Sequence, residues 1–302
     1  MSEDLIIQTQ NLRKLYGPHL ALDDANLSLS RGAIGVLGPN GAGKSTLFKC
    51  LLGLITTTSG NGTVLGFDIR TQGDLIRSRI GYMPEYDSLD PSLNAIDQVR
   101  YSGELLGMNP AQAMQRAHEV LEYVGLRDQR YRKIESFSTG MKQATKLACA
   151  LVHDPEILIC DEPTNGLDQR SRKFMLETLK RTVDDGGGTV LMDDVQEVCD
   201  RIVMMHKGKI VVQRSIEDLA RQIDREIEVV IWGGASTMEN ALKESGLSVR
   251  RLGRVMRVTI EDENTIGLVI ETAAKVGVQV RELREYEPDL EDIFLLIMER
   301  LG

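Results

Sequence analysis

Three features of this 302-residue chain predict an α/β fold. The first is a glycine-rich string, GPNGAGKST at Gly38–Thr46, set between a short apolar run and a stretch with helical spacing. The second is the alternation of short β-type runs with segments whose apolar residues recur every three and four positions. The third is a change of character near residue 216. Beyond it, β-rich and helical stretches alternate in what reads as a smaller α+β domain. The predicted division is therefore a domain at 1–215, with a helical insert at about 85–151, and an accessory domain at 216–302.

The elements follow in order. Leu5–Leu15 and Ala21–Leu29 have strand character and are joined by a turn at Gly17-Pro18, giving an antiparallel β subdomain. Ala33–Leu37 (AIGVL) reads as a short buried strand and Ser45–Leu54 as a helix, with the glycine-rich string between them. Ser59–Gly66 is a turn plus a strand, and Ile80–Pro84 (IGYMP) a short strand. From Pro91 to about Leu151 the pattern is helical, with Leu105/Leu106, Met114, Val120/Leu121 and Val124 marking its apolar face. Pro155–Glu162 returns to strand and ends in two acids. Ser171–Thr182 is helical, Gly186-Gly187-Gly188 breaks the chain, and Thr189–Met192 is again a strand. Arg201–Lys207 and Lys209–Gln213 read as a hairpin turning at Gly208. In the last domain, strands are expected at Ile227–Ile231, Val255–Ile260 and Val278–Leu283. Helices are expected near Met238–Ser245, Thr265–Ala274 and Leu290–Glu299, the last capped by Asp289.

A composition of 42% hydrophobic and 27% charged residues is that of an ordinary globular protein. The net charge of −9 argues against broad electrostatic binding of nucleic acid. No apolar run approaches the roughly 18 residues of a membrane span. The acidic start MSEDLIIQ lacks a signal-peptide pattern. Cys50, Cys149, Cys160 and Cys199 are scattered through apolar stretches, as buried free thiols in a reducing cytoplasm would be.

The string at Gly38–Thr46 fits the phosphate-binding pattern G-x-x-x-x-G-K-[ST]. Gly38, Gly41 and Gly43, with Asn40 between them, let the backbone curl so that successive N–H groups face one anion. Lys44 places a cation on the β- and γ-phosphates, and the Ser45 hydroxyl, followed by Thr46, is set to ligate Mg²⁺. The positive end of the following helix meets the phosphates. Ile157–Cys160 is an apolar strand ending in Asp161, where a Mg²⁺-holding Asp belongs. Glu162 next to it is a candidate base for polarising a water. A phosphate loop by itself does not separate ATPases, GTPases and kinases.

DEPTNGLD at Asp161–Asp168 and FSTGMKQ at Phe137–Gln143 resemble the nucleotide-binding subunits of ABC transporters. The second string is similar to that family's signature motif, LSGGQ or LSGGM. The order also fits: Tyr16, phosphate loop, IGYMP, signature, Asp-Glu, then Gly166-Leu167-Asp168. The resemblance covers about residues 5–215 and implies an ABC-type P-loop NTPase core. By it, Tyr16 is the aromatic that stacks on adenine; the alternative is a strand-end tyrosine packed on the core. Ser138, Thr139 and Gly140 stand where signature groups contact the γ-phosphate held by the opposite subunit, with a helix dipole aimed at it. Asp168 resembles the residue that couples the two sites. The implied assembly is a homodimer or paired ATPase subunits, head to tail around two ATP molecules with Mg²⁺. It would work with a separate transmembrane permease, as a peripheral protein at the cytoplasmic face of the membrane. EPDLEDIF at Glu287–Phe294 resembles a C-terminal element of bacterial and archaeal exporters, or is simply a helix cap.

The chain departs from that family in three places. Glu85 follows IGYMP where the family has a Gln that ligates Mg²⁺ and senses the permease; Glu85 can still ligate Mg²⁺ but, ionised, cannot donate a hydrogen bond. Thr139 replaces a signature Gly, with a modest expected effect. After Met192, about five residues are missing relative to the family, among them a His that contacts the γ-phosphate and the attacking water. Met192 runs directly into Asp193–Arg201, which resembles the family's next helix. His19, His118, His153 and His206 are all placed as structural or solvated. Two functions follow: an ATPase that drives export with slowed hydrolysis, or an ATP-gated dimerising interaction protein with little hydrolysis. A translation or DNA-repair ABC protein fits less well, since this chain has one cassette and a compact insert.

Overall fold

The computed structural model describes residues 5–186, 188–193, 198–221, 225–260, 262, 264–286 and 293. It divides into two compact units, Met1–Ile216 and Glu217–Gly302. The first unit opens with a long hairpin, β1 (Leu5–Tyr16) and β2 (His19–Ser30), followed by β3 (Ala33–Leu37) and α1 (Lys44–Leu51). Then come β4 (Ser59–Val64), β5 (Phe67–Asp68), α2 (Gly73–Arg77) and β6 (Ile80–Met83). The helical insert supplies α3 (Ala95–Leu105), α4 (Pro110–Tyr123) and α5 (Thr139–Leu151). The unit closes with β7 (Ile157–Cys160), α6 (Gln169–Gly186), β8 (Thr189–Asp193), β9 (Arg201–His206) and β10 (Lys209–Ser215).

Two sheets result. One is antiparallel, in the order β2-β1-β4-β5; the other is six-stranded, in the order β10-β9-β3-β8-β7-β6. Within the second, β9, β3, β8, β7 and β6 pair in parallel and β10 turns back against β9. A parallel sheet is covered on both faces, so its strands are apolar on both. Ile157 and Ile159 of β7 join a core that includes α1 and the antiparallel sheet, while Leu158 and Cys160 join the core of the insert helices. The insert helices obey their local signals. Asn94 and Asn109 cap α3 and α4 through their side chains, accepting from Asp97 N and Gln112 N, and Pro110 opens α4.

The second unit begins with α7 (Ile216–Ala220), whose first residue belongs to the unit before, and continues as β11 (Glu226–Trp232), α8 (Ala235–Glu244), β12 (Val249–Leu252), β13 (Val255–Thr259), α9 (Thr265–Val276) and β14 (Gln279–Tyr286). This is a split βαβ pattern, with the antiparallel order β12-β13-β11-β14. Ile227, Val229 and Ile231 alternate onto the face that meets Met238 and Leu242 of α8 and Val269 and Ala273 of α9.

Several elements differ from the sequence-based expectation. The helix after the phosphate loop starts one residue earlier and stops at Leu51, because Gly53 takes a left-handed φ of 61°. The strand Val249–Leu252 has only four residues, three of them exposed, and its two arginines hide any alternation. The strand expected to end at Met192 runs on through Asp193, buried at 3% exposure. Residues 198–200 are not helical. The remainder of that expected helix, 194–197, lies outside the described residues, as do the Asp289 cap and all of EPDLEDIF except the buried Ile293. The four cysteines are free, and burial pushes the Cys50 and Cys149 thiols up to about 11.

Candidate functional site

The parallel sheet ends its strands at one carboxyl edge, where ligands of open α/β sheets bind. Residues 38–43 leave the end of β3, Asp161 and Glu162 follow β7, Asp193 ends β8, and Glu85 follows β6 by two residues. The register brings these ends level: Val36 lies opposite Asp193, Cys160 opposite Met192, and Met83 opposite Cys160. A cavity of about 370 Å³ opens there, lined by Asn40, Gly41, Gly43, Lys44, Ser45, Thr46, Glu85, Glu162, Asp193 and His19 among others.

The loop needs its glycines. Gly43 has φ 106°, and a Cβ there would lie 2.5 Å from Ala21 O. A Cβ on Gly38 would lie 2.4 Å from Met205 O. Gly43 is also the N-cap of α1 and offers no side chain, so the first amides of the helix are left for a ligand. Lys44 Nζ donates to Gly38 O at 2.6 Å and lies 3.5 Å from Asp193 Oδ2. Ser45 Oγ donates to Asp161 Oδ1 at 3.1 Å. Burial raises Asp161 above the ordinary carboxylate range, while the Ser45 hydrogen bond pulls it down. Glu162 sits at φ 52°, an uncommon conformation for a non-glycine residue, and its Oε2 accepts from Asn165 Nδ2 at 2.8 Å.

Ser45, Asp161 and Glu85 offer a hydroxyl and two carboxylates, the hard-oxygen donor set that suits Mg²⁺. Among the described residues no cluster of three His, Cys, Asp or Glu side chains forms a metal cage.

The structure does not bring every predicted residue to this cavity. Tyr16, at the end of β1, is 45% exposed and does not line this cavity. Lys14 Nζ stands 4.9 Å from its ring centre. Ser138 N-caps α5, its side chain accepting from Met141 N at 3.3 Å, and Thr139 and Gly140 form the first turn. Ser138 and Gly140 line a different cavity of about 300 Å³, with Ser171 and Phe174 of α6. Asp168, exposed, caps α6 by accepting from Ser171 N at 2.8 Å. Of the four histidines, His19 is exposed and stands on the wall of the phosphate-loop cavity.

Sequence reasoning missed two supports. Lys146 of α5 is 5% exposed and donates to Pro84 O at 2.7 Å, Glu85 O at 3.0 Å and Tyr86 O at 3.3 Å. Gln143 Nε2 donates to Asn165 O at 3.3 Å, and Asn165 in turn holds Glu162. One helix therefore positions both acidic loops. In each case a polar residue within the pattern of α5 looks solvated until the helix is packed, so the pattern carried no usable signal.

The family model described as ABC transporter matches residues 22–165. Over 96% of its length the chain is 34% identical to the linearmycin resistance ATP-binding protein LnrL of Bacillus subtilis, covering 97% of that protein. The chain belongs to the ABC transporter ATP-binding proteins. It is an ATPase subunit of that family, whose members work with transmembrane components. It is also 30% identical to the Nod factor export ATP-binding protein I of Sinorhizobium fredii, over 98% of this chain and 87% of that one. Among solved structures it resembles the ATP binding subunit of an ABC transporter, with TM-score 0.64 and 26% identity over 72% of this chain and 92% of that one. A dimeric ATP-binding cassette in a post-hydrolysis state with ADP and Pi gives TM-score 0.64 at 24% identity, over 70% of this chain and 98% of that one, and shares the fold. Among the described residues, no helix of this ABC protein is long and apolar enough to cross a membrane.

Proposed function

We propose that this ABC protein binds MgATP at the Lys44 loop, pairs head to tail with a second ATPase subunit, and hydrolyses ATP slowly to drive export by a separate permease at the cytoplasmic face of the membrane. The observation that carries the reading is the convergence of Lys44, Ser45, Glu85 and Glu162 on one cavity, with Asp161 tied to it through the Ser45 hydroxyl. The loop amides and Lys44 hold the phosphates. Ser45, Asp161 and Glu85 would hold Mg²⁺, which when bound neutralises phosphate charge. Glu162, oriented by Asn165, polarises the attacking water. Residues 1–215 form the ATPase domain and 216–302 the accessory domain.

The pairing is supported by the place of Ser138. Its helix tip lines a cavity other than that of its own phosphate loop, so it is available to a nucleotide bound by another subunit. Asp168, at the N-terminus of the adjoining α6, would couple the two sites. Tyr16, exposed at the end of β1, offers a ring for adenine to stack on. Export agrees with the names of relatives, which confer linearmycin resistance or export Nod factor. Slow turnover follows from the absence of the family's His after β8. One lost transition-state contact typically costs on the order of 10²–10³ in rate.

The deciding experiment measures MgATP affinity and phosphate release on the purified chain, alone and with its permease. Binding at ordinary affinity with slow, permease-stimulated release is expected. Release at the usual rate of the family refutes the missing-His explanation. Tight binding with a locked dimer and negligible release selects the ATP-gated interaction protein instead, a reading favoured by Glu85 and the shortened segment.

A further inference from the structure

We propose that Asp193 sets how this site discriminates ATP from ADP, by competing with the terminal phosphate for Lys44. The inference rests on the reading that nucleotide binds the Lys44 loop. Asp193 ends β8 opposite Val36, beside the residue where β3 enters the loop. Its side chain is 4% exposed, that of Lys44 is 11% exposed, and the two charges stand 3.5 Å apart on the wall of one cavity. A carboxylate so buried needs a cation, and Lys44 provides one. An ammonium has three donors. Gly38 O engages one at 2.6 Å and Asp193 pairs with the charge at 3.5 Å, so the cation that must grip the β- and γ-phosphates is already partly committed.

The consequence differs between the two nucleotides. The β-phosphate is cradled by loop amides, which Asp193 does not displace. The terminal phosphate of ATP depends far more on Lys44. Any anion on that ammonium comes within a few ångströms of Asp193, in a recess where water and salt screen weakly. Glu162 lines the same recess and adds to the repulsion. Asp193 thus withholds from ATP the advantage that its extra phosphate would otherwise earn over ADP. An uncharged amide in its place would keep the volume and could donate to the phosphate.

The test titrates the full chain with MgADP and with a non-hydrolysable MgATP analogue, by calorimetry. Wild type, Asp193→Asn, Asp193→Ala and Asp193→Glu are compared, each checked by thermal unfolding. In wild type the two nucleotides are expected to bind with nearly equal affinity. In the Asn and Ala variants the analogue is expected to tighten about tenfold, a gain of about 1.4 kcal/mol, with ADP almost unchanged. The Glu variant is expected to keep the wild-type ratio. Equal tightening for both nucleotides, or no change for either, overturns the proposal. So does a wild-type preference for the analogue of tenfold or more, which is readable even if no variant folds. A wild-type chain that binds neither nucleotide refutes the nucleotide-binding reading itself.

Discussion

Replacing Lys146 by Met tests whether α5 organises the catalytic edge. The side chains are similar in length, so the loss is chiefly of charge and of three hydrogen bonds. The bond to Pro84 O is fully buried, and those to Glu85 O and Tyr86 O are partly so. Bonds from a charged donor contribute about 1.5–3 kcal/mol each, and the buried carbonyl left behind costs about 1–3 kcal/mol. Against this, the lysine is held in a site where burial lowers its pKa, and removing it recovers that desolvation penalty. The balance is a destabilisation of about 2–4 kcal/mol, or about 1–2 M urea in transition midpoint. Circular dichroism is dominated by the helices of the first unit, which holds α1–α6, whereas the single tryptophan, Trp232, reports the second. The first transition should move more than the second. Because the released carbonyls flank Glu85, the Mg²⁺ concentration for half-maximal phosphate release should also rise. An unchanged urea midpoint with unchanged Mg²⁺ dependence refutes the assigned role of Lys146.

Three further outcomes are expected. Glu162→Gln should abolish phosphate release, leave MgATP binding intact and accumulate an ATP-bound dimer in size-exclusion chromatography; a variant that dissociates like wild type contradicts the base assignment. Gly43→Ala forces a side chain at φ 106° and 2.5 Å from Ala21 O, so it should cost upward of about 2 kcal/mol in urea unfolding and lose nucleotide binding. Asp161 has its folded-state pKa raised, chiefly by burial, so its contribution to stability is present below the unfolded pKa and is lost as pH rises through the folded one. Without Mg²⁺, Asp161→Asn should therefore be more stable than wild type at neutral pH. The gap should close toward about pH 4, and phosphate release should be lost; a gap independent of pH refutes the burial argument.

The phosphate loop was legible because its function is local. The glycines, Lys44 and Ser45 are contiguous, and a backbone curled around an anion needs only neighbours in sequence. The Asp161-Glu162 pair was legible because an apolar strand ending in acids carries its own pattern. The helices of the insert announced themselves by spacing and by Asn94 and Asn109 at their caps. Lys146 and Gln143 were not legible, since a polar residue inside an amphipathic helix looks solvated until the helix is laid against β6 and the 161–165 turn. Strand β12 was hidden by its exposed arginines.

The sequence by itself thus determined the α/β class, the phosphate-binding string and the family. Tertiary structure decided which charges share the site. Only the parallel register of β3 with β8 puts Asp193 against Lys44, residues 149 positions apart in the chain. Only the path of α5 ties the carbonyls of the Glu85 loop to a buried ammonium. Electrostatic energy depends on distance and burial, and neither is encoded in any one segment.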